Sequence, residues 1–208
     1  MNTFKPLFAL AAFLLFSITP NLSNAQQTET LFDGDVTHGG FGGPVVQIGN
    51  VAGSGAVWVG GRGGWIINLS EQHTISLGGG GFGLATNHLA PDPQVGIPDV
   101  DYYAFSGYGG FIFEYTNRSY KLAHFTFSSL TGAGAVGLRE SNYENFEDDV
   151  DTYFVFEPAA HAELNVTTFF RISAGLGYRF TSGIDSFGFS DSDFSGFNAI
   201  ITFKFGGF

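Results

Sequence analysis

Residues 168–180 read TFFRISAGLGYRF, and splitting them by alternate positions gives two unlike faces. Thr168, Phe170, Ile172, Ala174, Leu176, Tyr178 and Phe180 form an apolar, aromatic row. Phe169, Arg171, Ser173, Gly175, Gly177 and Arg179 form a small and cationic one. Side chains of a strand point alternately to opposite faces, so a period of two predicts a β-strand with one apolar face. The same split recurs on either side. Over 152–164, Phe154, Phe156, Pro158, Ala160, Ala162 and Leu164 oppose Tyr153, Val155, Glu157, Ala159, His161 and Glu163. Over 197–205, Phe197, Ala199, Ile201, Phe203 and Phe205 oppose Asn198, Ile200, Thr202 and Lys204. Upstream, 103–115 and 121–131 alternate in the same way. Three Gly-laced segments, 38–49, 55–69 and 73–86, bring the predicted strands to eight, with Gly79–Gly81 able to hold a bulge. Each is long enough for a tilted membrane strand.

The spacing between these segments sorts by parity. Short connections follow the second, fourth and sixth strands, at 70–72, 116–119 and near Asn165. Long ones follow the third, fifth and seventh, at 87–101, 138–151 and 182–193, and 50–54 is a short exception. Short turns at one end and long loops at the other are the arrangement of an outer-membrane barrel.

Composition narrows the reading. The 208 residues include 31 Gly and 25 Phe but no Cys, with 13% charged, 17% aromatic and a formal net charge of -11. That much aromatic content with so little charge excludes a disordered chain. Eight Lys and Arg against nineteen Asp and Glu make nucleic acid a poor partner. The missing Cys rules out disulfides, thiolate zinc sites and cysteine nucleophiles. At the N-terminus, Lys5, the uninterrupted apolar run Leu7–Phe16 and Ser23-Asn24-Ala25 read as a secretory signal peptide over 1–25. The barrel domain is then expected over 26–208.

The signal peptide, the eight alternating segments and the C-terminal Phe203-Lys204-Phe205-Gly206-Gly207-Phe208 together resemble the small bacterial outer-membrane β-barrels of the OmpA transmembrane domain, OmpX and OmpW kind. The Gly-rich strings at 39–44 and 60–65 are also similar to barrels from Bacteroidetes-type bacteria. The resemblance implies an all-β, eight-stranded, antiparallel up-and-down transmembrane barrel, expected to be a monomer. It implies outer-membrane lipids and lipopolysaccharide as surroundings. It also implies that Phe203, Phe205 and Phe208 serve as a signal to the barrel-assembly machinery. In that family apolar residues fall at alternate positions counted back from the last Phe; here those are Gly206, Lys204 and Thr202, so the aromatic row is offset by one.

With the apolar faces outward, the lumen is predicted to hold Arg62, Arg171, Arg179 and Lys204 with Glu114, Glu157 and Glu163, beside His124 and His161. Eight strands leave an interior that side chains can fill. A structural ion-pair network follows, with Glu157 and Glu163 expected to meet Arg171 and Arg179 on the neighbouring strand. The alternative is a narrow channel lined by charge for small or hydrophobic solutes. Trp58, Trp65, Tyr102, Tyr103, Tyr115, Tyr120, Tyr153 and Tyr178 are candidates for aromatic girdles. Twelve acids fall in the three long connections, densest at Glu147-Asp148-Asp149-Val150-Asp151, and read as a solvated surface.

Catalysis finds little support. Gly78–Gly83 contains a Gly-x-Gly-x-x-Gly match but no helix pattern follows it. His124, Thr126 and Ser128 share one face, with Glu114 the nearest candidate to orient His124, and a lipid-modifying enzyme is the reading this would support. The five His are too scattered for a metal site. No cofactor, no metal and no catalytic residue is assigned. A soluble exported β-sandwich shares the alternation.

Overall fold

The computed structural model describes residues 37–91, 101–140 and 146–208, without the side chains of 146–149. The predicted signal peptide lies outside the described residues. Eight long strands make the wall: β1 (Thr37–Val51), β2 (Ser54–Asn68), β3 (His73–Leu84), β4 (Tyr102–Asn117), β5 (Ala123–Glu140), β6 (Phe146–Asn165), β7 (Phe170–Ser182) and β8 (Gly196–Gly207). Each pairs antiparallel with its neighbours in sequence, and β1 pairs with β8. The ladder therefore closes on itself, and the fold is an eight-stranded antiparallel up-and-down barrel. Two small pieces stand outside the wall, the two-residue strand His88–Leu89 on β4 and the one-turn helix α1 (Asp191–Phe194).

Alternation sorts the side chains as their chemistry requires, but with polarity reversed relative to a water-soluble protein. Phe125, Leu176 and Phe197 are 68%, 69% and 77% exposed on the outer wall. Glu114, Glu163, Arg179 and Lys204 are 3% exposed or less inside it.

The register runs unbroken through Gly78–Gly81 on both sides of β3, so the expected bulge at Gly79–Gly81 does not form. A side-chain-free strand has nothing to force an extra residue out of the ladder. The irregularity falls instead between Gly137 and Arg139 of β5. There the hairpin also outgrows its expected length. β5 continues to Glu140 and β6 begins at Phe146, so Glu140, Glu147, Asp148, Asp149 and Asp151 lie on strands rather than in a loop. Buried Val136 and Leu138 carry the inward pattern of β5 onward. Acids beyond an apolar band need only water, which a strand allows as well as a loop does. The connections at 85–101 and 183–195 are long as expected; Asp92, Asp99 and Glu144 lie outside the described residues.

β1 and β2 meet in a two-residue turn in which Ala52 (φ 49) and Gly53 (φ 74) are both left-handed. That is the turn whose twist matches a hairpin's, and it favours residues that tolerate positive φ. The Ala52 amide donates to Asp193 O at 2.9 Å, tying the turn to α1. A left-handed conformation costs an ordinary residue about 1–2 kcal/mol, and glycine returns about 0.5–1 kcal/mol of that as chain entropy. Ala52→Gly is therefore expected to raise stability by about 0.5–1 kcal/mol, read as a higher urea midpoint for the folded, heat-modifiable gel band. An unchanged or lower midpoint contradicts this account of the turn.

Candidate functional site: the buried polar groups of the barrel interior

All nine residues predicted to face the lumen do so and are buried. They fall into separate groups along the barrel. Near the turn end, Arg62 of β2 is bonded to Glu114 of β4, and Lys204 of β8 donates to Glu114 at 3.0 Å and also to Glu163 of β6. His124 of β5 holds its Nδ1 3.0 Å from Lys121 O and its Nε2 3.4 Å from Glu163. Two cations and two carboxylates thus balance across the barrel, the condition for burying charge at all.

Midway, Ser128 Oγ lies 2.9 Å from His161 Nε2, a pair joining β5 to β6. The floor beneath His161 is Gly175: a Cβ there would run into the imidazole and the Ala160 carbonyl, so only glycine leaves the ring its place. Towards the loop end, Glu157 is held by neutral donors. Gln47 Nε2 reaches it at 3.1 Å, Asn198 Nδ2 at 2.9 Å and the Tyr108 hydroxyl at 2.9 Å. Arg179 donates to that hydroxyl at 3.3 Å and to Phe194 O at 2.9 Å. Its guanidinium sits 4.4 Å from the Trp58 ring centroid and 5.3 Å from that of Tyr108, a cation–π arrangement worth most where water is excluded.

These partners differ from those expected. Glu157 meets Arg179 only through Tyr108, and Glu163 pairs with Lys204 two strands away. Arg171 stacks on the Phe208 ring at 3.8 Å and donates to Ser119 O at 3.4 Å. Register explains the last two: Glu163 lies opposite Ser173, and Arg171 opposite Asn165. A narrow lumen also brings far walls within side-chain reach. Nor does Glu114 orient His124; the ring is held by the Lys121 carbonyl and lies against Glu163. Thr126 bonds to Thr116 at 2.8 Å.

The loop end has a different filling. Trp58, Tyr102, Tyr108, Val136, Leu138, Tyr153 and Val155 of the wall pack with Ile184, Phe187, Phe189 and Phe194 of the 183–195 connection. Trp58, Tyr102 and Tyr153 therefore belong to the interior rather than to a girdle, since their positions share the inward parity. Trp65 and Tyr120 are exposed at the turn end, where Tyr115 also stacks with His73 and holds it at 2.6 Å. The acids of the connection brace it: Asp191 Oδ1 accepts from Ile184 N at 2.8 Å, and Asp193 caps α1 through Ser190 N at 2.8 Å. Asp185 N donates to Asp151 at 2.8 Å. Beside the preceding connection, burial pushes the His88 imidazole below its ordinary range, against the raising effect of its hydrogen bond to the Val51 backbone.

Two small spaces lie between these side chains. A cavity edged by Arg62, Leu130 and Glu157 and another edged by Glu114, Arg171 and Lys204 measure about 10 Å³ each, the lower limit for one water. Among the described residues no group of three His, Asp or Glu stands close enough to hold a metal ion. Phe203 and Phe205 lie on the outer wall; Phe208 turns inward under Arg171. β8 stays paired with β1 as far as Gly207.

Removing one partner of a buried ion pair leaves a charge without compensation and costs about 3–5 kcal/mol, whereas replacing the pair by apolar groups is often close to neutral. Glu114→Gln is expected to lose about 3 kcal/mol or more, measured by urea unfolding in lipid vesicles. Arg62→Met with Glu114→Leu is expected to recover most of that loss. Equal stability of Glu114→Gln and the parent would refute the pairing.

No protein-family model and no curated protein matches the chain. Similar solved structures are the Neisserial surface protein A (8% identity, TM-score 0.49, covering 84% of this chain and 98% of that one), and the N-terminal β-barrel domain of Pseudomonas aeruginosa OprF (12%, 0.42, 81% and 96%). A third is Ail, the attachment invasion locus protein of Yersinia pestis, in complex with the heparin analogue sucrose octasulfate (12%, 0.46, 82% and 96%). At such identities the likeness is one of fold alone.

Proposed function

We propose that this chain is a non-catalytic β-barrel of the bacterial outer membrane, exported by its N-terminal segment, with a plugged lumen and its acidic loop end at the cell surface. The observation that carries the reading is the reversed polarity of a closed wall. Phe125, Phe127, Leu176, Phe180 and Phe197 stand on the outside while Arg62, Glu114, Glu163 and Lys204 pair inside. Exposed apolar area on that scale is unstable in water. A closed barrel is the one sheet that can enter lipid, because it leaves no backbone group unpaired at an edge. The partners that follow are outer-membrane lipids and lipopolysaccharide, with the C-terminal Phe203, Phe205 and Phe208 offered to the assembly machinery. A monomer is sufficient.

The plug has two supports, the ionic network at the turn end and the apolar cluster under the 183–195 connection. A structural or surface-interaction role fits such a barrel better than transport. Ser128 and His161 do not change this, because Ser128 points inward and the His161 Nδ1 has no hydrogen-bond partner to orient it. The purified protein should sediment with outer membranes, migrate anomalously on gels until boiled, and show no discrete conductance steps in planar bilayers. Discrete steps would favour the channel, altered lipid masses after incubation with lipid A would favour an enzyme, and a water-soluble, non-shifting protein would overturn the barrel's placement in lipid.

A further inference from the structure

The outer wall is not uniformly convex. Along β6 the outward residues Pro158, Ala160 and Ala162 are small and stand between Phe156 and Leu164. In register with Ala160 lie Phe127 on β5 and Leu176 on β7, so a small side chain sits between two large ones. Tyr178 and Phe197, edge-to-face at 4.9 Å, close one flank. The resulting groove has a volume of about 440 Å³. Its floor is thin. The β6–β7 ladder skips Glu157 and Pro158, a proline having no N–H to give, and Ala159 and Gly177 line the groove from the inner row.

We propose that this groove seats a single acyl chain of a membrane lipid, making it a defined lipid site on the barrel wall. The proposal rests on the barrel's outer face being in lipid. Width selects the occupant. β5 and β7 are two strand spacings apart, roughly 10 Å between backbones, and Phe127 and Leu176 narrow that gap further. A helix with its side chains is about 10–12 Å across and does not enter. An added strand has no free edge to join in a closed ladder. No charged side chain lines the groove, so a headgroup is not its ligand. A hydrocarbon chain is thin, apolar and the immediate neighbour of the exposed Leu176 and Phe197. From Pro158 to Ala162 the small floor extends roughly 14 Å at about 3.4 Å per residue, a run along which a chain can lie.

The test uses the full barrel in phosphatidylethanolamine vesicles doped with a phosphatidylcholine carrying a diazirine at mid-chain. After irradiation, lipid adducts are mapped by mass spectrometry. Adducts are expected to concentrate on residues 158–160 and 176–178, several-fold above the outward positions of β2 and β3. Ala160→Phe, whose ring would occupy the groove, is expected to remove that excess; Ala160→Leu reads the same if the larger ring prevents folding. Ala133→Phe, elsewhere on the outer wall, is expected to leave it intact. Even labelling around the barrel, or an excess insensitive to Ala160→Phe and Ala160→Leu, overturns the site. So does a disulfide-linked dimer of Ala160→Cys, which would assign the groove to a second copy of the chain. Vesicle flotation separates the two levels: protein that does not float with lipid overturns the membrane reading itself.

Discussion

The pairing of β1 with β8 is the constraint from which the rest follows. Once Gly40 meets Gly207 and Ile48 meets Ala199, the ladder has no edge, and every wall residue must present its side chain either outward or into a lumen of fixed bore. Backbone hydrogen bonds are then spent within the wall, so the outside can be purely apolar without exposing unpaired peptide groups. The inside has no such freedom. Polar groups brought in by the inward parity are buried, and a buried polar group needs a partner among the others. Pro44 and Pro158 fall where the β1–β8 and β6–β7 ladders skip residues, which is where an absent N–H does least harm.

Two solutions to the filling problem sit end to end. Near the short turns, Arg62, Glu114, Lys204 and Glu163 cross the bore as an alternating set of charges, with His124 against Glu163. Near the loops, aromatic and aliphatic side chains pack with Phe187, Phe189 and Phe194 of the last connection. Arg179 ties the last connection to the wall. One side of its guanidinium donates to Tyr108 and through it meets Glu157; its Nε holds the carbonyl of Phe194. The loop is thus anchored to the Glu157 group by a residue whose flat faces also lie on Trp58 and Tyr108. Buried ion pairs add little net stability compared with apolar filling. Their value here is positional, because the Arg62–Glu114, Lys204–Glu114 and Lys204–Glu163 contacts join strands that the ladder does not put side by side.

How much of this could be read from the residues depends on which physical rule was in play. Parity is local, so the inward faces of β6, β7 and β8 were legible, and with them Glu157, His161, Glu163, Arg171, Arg179 and Lys204. Partner choice is not local. Nothing near Glu163 points to Lys204, because the link runs across the bore; Ser128 and His161 meet although far apart in sequence. The 183–195 connection was legible as long and acidic but not as folded. Its Phe187, Phe189 and Phe194 carry no periodicity, and its aspartates read as solvated until their backbone donors are seen. Trp58, Tyr102 and Tyr153 were candidates for the girdle because aromatic rings suit both an interface and a core. In β1 to β3 the glycines blur the alternation itself, since a residue without a side chain has no face.

That blur has a counterpart in the outer wall. Pro44, Gly61, Gly81, Gly109 and Ala133 lie in one row across β1 to β5, each opposite the next. The outer surface is nearly bare backbone there, and in the proposed lipid setting its peptide groups are tolerable only because the ladder has already bonded them. On β6 to β8 the wall is studded instead with Phe156, Leu176, Phe180 and Phe197. Relief requires contrast: small residues among small ones give a smooth surface, whereas Ala160 between Phe127 and Leu176 gives a trough. The glycine-rich composition alone therefore does not produce a lipid site. The placement of a few small side chains within the aromatic half does, and the two halves of the barrel should order the surrounding lipid differently for that reason.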